Sequence, residues 1–101
     1  MRIKPGANLD GISTAMLHAC AVIDEIYIRI AKHEVTITSV KDGKHMHQSK
    51  HDDGNAGDFR KRDISPNDYI IILAEVKRKL GKDYDVIDET THMHIEYDPK
   101  G

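Results

Sequence analysis

Residues 91–97 read Thr91-His92-Met93-His94-Ile95-Glu96-Tyr97, and their alternation decides how the rest of the chain is arranged. Successive side chains of a strand point to opposite faces of a sheet. His92, His94 and Glu96 therefore share one side, and Met93, Ile95 and Tyr97 share the other. The second set forms a core face, which an apolar layer must cover. Residues 83–88 read as another short strand, joined to this one in a hairpin across Glu89-Thr90, and Pro99 ends the pattern.

The cover is found upstream. Ser65-Pro66 is a helix start, with Ser at the N-cap and Pro at the first helical position. Tyr69, Ile70, Ile72, Leu73, Val76 and Leu80 supply its buried face, and Gly81 caps it after Lys77, Arg78 and Lys79. A longer helix is expected from an N-cap at Ser13 to about Lys32. Its apolar stripe is Met16, Leu17, Cys20, Ile23, Tyr27 and Ile30, and Asp24 and Glu25 fall off it. Residues 1–12 read as an extended lead-in with a turn at Pro5-Gly6. Val35 to Val40 alternate and are rich in β-branched residues, as in a strand, and residues 54–62 supply a further strand. Between them, residues 41–53 form a polar loop with a turn signal at Asp42-Gly43. A loop of that length in so small a domain points to function. The expected fold is α+β, one domain over residues 1–101, with two helices packed on a small, mostly antiparallel sheet.

A chain of 101 residues supports one modest core. Its net charge of −2 gives no basic footprint for nucleic acid. Cys20 is the single cysteine, which excludes an intramolecular disulfide and cysteine-only zinc sites; it reads as a small buried hydrophobe. No stretch reaches the roughly 20 apolar residues of a membrane span, and the N-terminus carries no apolar core of signal-peptide length. A soluble monomer made in the cytoplasm is expected, with neither nucleic acid nor membrane as partner.

Seven histidines are unusual in this length, and five fall into two clusters: His45, His47 and His51, and His92 with His94. In Ser49-Lys50-His51-Asp52-Asp53-Gly54-Asn55-Ala56-Gly57-Asp58, a histidine ending the loop precedes an aspartate on the next strand. If the chain doubles back through Gly54, both face one cation, and the small residues at 54, 56 and 57 leave room for metal and substrate. His92 and His94 on one strand face are a ready pair for the same ion. Catalytic zinc takes three His or carboxylate ligands and keeps a fourth position for water. The set His51, Asp58 and a histidine from the pair His92/His94 meets that requirement. Glu89 or the remaining histidine is then available for proton transfer.

The pattern S-x-H-x-x-G-x-A-x-D is matched at every fixed position by Ser49, His51, Gly54, Ala56 and Asp58, and a terminal H-x-H follows on a strand after a helix. This resembles the family of zinc D-alanyl-D-alanine carboxypeptidases, whose relatives include the vancomycin-resistance dipeptidases and the phage L-alanyl-D-glutamate endolysins. The resemblance covers roughly residues 35–98 and implies a fold shared with the hedgehog signalling domain. The small size is similar to the short phage- or prophage-encoded members.

Carried over residue by residue, the resemblance implies Zn2+ held by His51, Asp58 and His94, the second histidine of H-x-H. The family's acid/base lies three residues before that ligand, where this chain has Thr91. The role then passes to Glu89 or His92; Glu89 also stands three residues before His92, a spacing that would make His92 the ligand. Family members carry an arginine after the Thr-Ser strand to grip a substrate carboxylate. Here Lys41 and Lys44 follow Thr38-Ser39, and Arg60 and Arg62 are alternatives, with Arg60 on the face of Asp58. Ser49 is expected to bond a substrate or orient His51. His45 and His47 lie outside the implied metal set, and His18 and His33 read as structural. The implied activity is hydrolysis of peptidoglycan stem peptides by a zinc-activated water, released to the cell wall by phage lysis. The alternative is a zinc-binding structural domain of the same fold, catalytically lapsed where Thr91 stands.

Overall fold

A computed structural model describes residues 1–41 and 54–99 of the chain. The elements are β1 (Arg2–Ile3), α1 (Thr14–Ala31), β2 (Thr36–Lys41), β3 (Ala56–Arg60), α2 (Pro66–Leu80), β4 (Tyr84–Asp88) and β5 (His92–Tyr97). The five strands form one sheet in the order β1-β2-β3-β5-β4. All neighbours are antiparallel except β1 and β2, which run parallel. The sheet is therefore mixed, and the expected lead-in at residues 1–12 begins as an edge strand. Lys4 extends that contact, its backbone N–H donating to the Ile37 carbonyl at 3.0 Å. The expected α+β class with two helices on a sheet is what the chain forms.

Local signals account for the helix boundaries. Ser13 accepts from the Met16 N–H at one end of α1, and Lys32 closes the other in the left-handed region at φ 67°. Ser65 caps α2 in the same way, Pro66 occupies its first turn, and the Gly81 N–H donates to the Lys77 carbonyl. Met16, Ala19, Cys20, Ile23, Ile26 and Tyr27 of α1 meet Tyr69, Ile72, Val76 and Leu80 of α2 in one core with Ile37, Phe59, Met93 and Ile95 from the sheet. Both helices therefore cover the same face of the sheet. Leu17 and Ile70, expected on the buried stripes, are 50% and 66% exposed because each lies at the margin of its helix's packed arc. Tyr97, expected on the core face, is only half-buried and stacks against Tyr84 at 5.1 Å.

The glycines of the middle segment have packing roles. Gly54 adopts φ +59°, and a Cβ there would lie 2.0 Å from the Gly11 carbonyl oxygen. At Gly57 a Cβ would meet Met16 Cε at 3.1 Å. These two positions were expected to make room for metal and substrate; they instead admit the entry to α1. Ala56 does lie on the far face of the sheet, opposite Glu96 and Lys41.

Candidate metal centre

The face of the sheet turned away from the helices carries the polar residues, and a bulge builds it. Ile37 pairs with Phe59, but the next pair is Ser39 with Asp58, so Thr38 is an extra residue in β2. Unbroken alternation would put Ile37, Ser39 and Lys41 on one face. The bulge leaves Ile37 in the core and turns Ser39 and Lys41 to the other side. Asp58 is in turn the register partner of His94 in β5. One rung therefore runs Ser39–Asp58–His94 across three strands, flanked by the Arg60–His92 pair on one side and the Lys41–Ala56–Glu96 rung on the other.

Asp58 is the hub. Its Oδ1 lies 2.7 Å from His94 Nδ1 and 3.5 Å from His92 Nε2. Its Oδ2 accepts from Ser39 Oγ at 2.7 Å and pairs with Lys41 Nζ at 3.0 Å. Burial pushes this carboxyl up, but the hydrogen bonds from His94, Ser39 and Lys41, with the charge of His92, outweigh burial and hold it far below the usual carboxylate range. His94 lies between two carboxylates. Nδ1 lies 2.7 Å from Asp58 Oδ1 and Nε2 3.1 Å from Glu96 Oε1, an arrangement in which a ring protonated at both nitrogens would donate to each carboxylate. The bond to Asp58, joined by that to Glu96, raises its pKa despite burial.

The other candidate residues fall as follows. His92 lies beside the pair, its Nδ1 within 2.9 Å of Thr91 Oγ1. Glu89 is exposed at the hairpin, where its backbone N–H donates to the His92 carbonyl; its carboxylate forms no hydrogen bond or ion pair among the described residues. Lys41, expected to grip a substrate, directs its ammonium to Asp58 because the bulge turns it toward that carboxylate. Arg60 shares the face of Asp58, as expected, in register with His92. Ser49 and His51, with Lys44, His45 and His47, lie outside the described residues. Sequence reasoning missed Ser39 and the part played by Glu96. Glu96 was legible as the third polar residue of the 92–96 face, but nothing in the sequence marks the bulge that brings Ser39 in.

Among the described residues, no group of three or more His, Cys, Asp or Glu side chains is arranged to hold a metal. Asp58 and the two histidines are oxygen and nitrogen donors of the kinds that zinc takes. Ligands at about 2.0–2.1 Å in a tetrahedron lie about 3.3 Å from one another. The distances of 2.7 and 3.5 Å from Asp58 Oδ1 to the two imidazoles bracket that spacing. Glu96 supplies the outer carboxylate that commonly fixes a ligating imidazole through its other nitrogen. Among the described residues, no helix is long and apolar enough to cross a membrane. Comparison with protein-family models, curated proteins and solved structures yields no match for this chain in any of the three.

Proposed function

We propose that the chain is a zinc-dependent peptidase acting on peptidoglycan stem peptides, in the manner of the D-alanyl-D-alanine carboxypeptidases it resembles and with their hedgehog-like fold. Asp58, His94 and His51 are its zinc ligands. The observation that carries the proposal is the facing of Asp58 Oδ1 and His94 Nδ1 at 2.7 Å. The two belong to separate sequence motifs, and the sequence pattern gives each a ligand role.

The chain's own residues have defined tasks in this reading. Ser39 and Lys41 hold Oδ2 of Asp58, so that Oδ1 is the oxygen that would bind the ion. Glu96 keeps the proton on His94 Nε2, so that Nδ1 is the nitrogen that gives its proton up to bind. Zinc, when bound, polarises a carbonyl and makes water more acidic. His92 is the group positioned to move the proton. It is only partly buried, its ring is held by Thr91, and its Nε2 is directed toward Asp58. Glu89 faces solvent on the hairpin and is a weaker candidate.

A second reading, a zinc-binding domain without activity, is favoured by the exposed position of Glu89 and by Thr91 serving only to orient His92. Two measurements test both. Protein purified without a histidine tag should hold about one zinc per chain and release D-alanine or cut L-alanyl-D-glutamate in muropeptides. Zinc binding without hydrolysis would select the second reading. Protein that stays metal-free when zinc is supplied would end both.

A further inference from the structure

A cleft of about 420 Å³ opens beside the Asp58 centre, and its charge is one-sided. Lys4, Lys41, Arg60 and Arg62 line it with His92, and among the described residues no carboxylate does. The strands set this up: the chain after β1 brings Lys4 to the sheet edge, the bulge turns Lys41 outward, and Arg60 ends β3 in register with His92. Lys41 is neutralised by Asp58 at 3.0 Å. Lys4, Arg60 and Arg62 form no ion pair among the described residues, so three cations converge on one concavity in a chain whose net charge is −2. Like charges gathered in this way repel one another, and a concave wall of one sign concentrates counter-ions. Ser39 and Thr91 line the same wall.

We infer that this cleft is a binding site for a small ligand carrying at least two oxyanion groups, carboxylate or phosphate. A single carboxylate would leave most of the excess charge uncompensated. Two guanidinium groups provide planar forks that match oxyanions bidentately, and the lysine adds a point charge. Ser39, Lys41 and His92 belong to both the cleft and the Asp58 centre, so a ligand seated here lies against the proposed active site. The cations themselves are held by the sheet, and the inference does not depend on zinc.

The test is calorimetric titration of the full chain, stripped of metal and then freed of chelator, with acetate, glutarate and inorganic pyrophosphate. At least one dianionic probe should bind about tenfold or more tightly than acetate, since a charge-assisted bond contributes more than that factor. Affinity should fall as salt rises. The double variant Arg60→Gln/Arg62→Gln, with its fold checked by circular dichroism, should lose about tenfold or more. Lys79→Ala, exposed on α2, should bind as the parent does. Preference for glutarate identifies a polycarboxylate ligand, and preference for pyrophosphate a phosphorylated one. Equal binding of all three anions, or parental affinity in the double variant, would overturn the inference. Neither result depends on the zinc content or on hydrolysis.

Discussion

Asp58 Oδ1 and His94 Nδ1 face each other at 2.7 Å on adjacent strands, although 36 residues separate them in the chain. The carboxylate also satisfies Ser39 and Lys41, so its removal leaves several groups without a partner. In metal-free protein, Asp58→Ala should cost about 3 kcal/mol, the usual result of breaking a buried pair by deleting one member. Urea unfolding measures it. The same variant should hold no zinc by elemental analysis and show no peptide hydrolysis. Unchanged turnover would remove Asp58 from the site.

The charge state of His94 contributes to the pH dependence of the metal-free form. Its folded pKa is raised above 6.5 chiefly by the bond to Asp58. A raised pKa contributes stability that is fully present below the unfolded value and is lost as pH rises through the folded value. The melting temperature of metal-free protein should therefore fall as pH increases above about 6.5. Asp58→Asn should flatten that slope. Zinc binding should run the other way, because Nδ1 must release its proton, so affinity should climb over the same interval. Melts across pH with and without zinc would reveal both slopes, and parallel curves would exclude His94 as a ligand.

Gly54 is fixed by backbone contact. Its φ of +59° and a Cβ position 2.0 Å from the Gly11 carbonyl oxygen leave no relaxed place for a side chain. Its own carbonyl accepts from the Ser13 N–H at 3.2 Å, which ties the segment to the start of α1. Gly54→Ala should destabilise by about 3 kcal/mol or more, combining left-handed strain with a backbone clash. Gly57→Ala presses on the end of the Met16 side chain at 3.1 Å, with the Ser39 carbonyl and Phe59 at ordinary contact distance, and should cost about 1 kcal/mol. Similar losses at the two positions in denaturant unfolding would refute this account.

Much of this arrangement was legible in the sequence because local rules and burial agree there. Ser13, Ser65, Pro66 and Gly81 bound the helices as their chemistry requires, and the alternation of His92 to Ile95 assigns the two faces of β5. What was not legible depends on long-range pairing. The parallel contact of Arg2 and Ile3 comes from a strand too short to carry a pattern. The exposure of Leu17 and Ile70 depends on where α1 and α2 meet each other and the sheet. The register that sets Asp58 opposite His94 is a property of the closed sheet. Shared suitability for one zinc ion is what links those two residues in the sequence, and Lys41, expected to bind substrate, pairs with Asp58 at 3.0 Å.

The bulge in β2 offers the most direct test of how the centre is held. Thr38 is the extra residue, and its hydroxyl makes only a 3.3 Å contact to the Asp58 carbonyl. Ser39 bonds the carboxylate itself at 2.7 Å. Substitution at the two positions should therefore differ in kind. Ser39→Ala removes a hydrogen bond to a buried anion and should cost about 1.5 kcal/mol or more. It should also move the Asp58 pKa back toward the ordinary range, because one of the bonds that outweigh burial is gone. Thr38→Ala should stay within about 0.5 kcal/mol and leave that pKa in place. A carboxyl-carbon NMR titration of metal-free protein reads the pKa directly, with unfolding curves alongside. If Ser39→Ala leaves the Asp58 titration unchanged, the bulge does not hold the carboxylate, and its orientation must be attributed to His94 and Lys41.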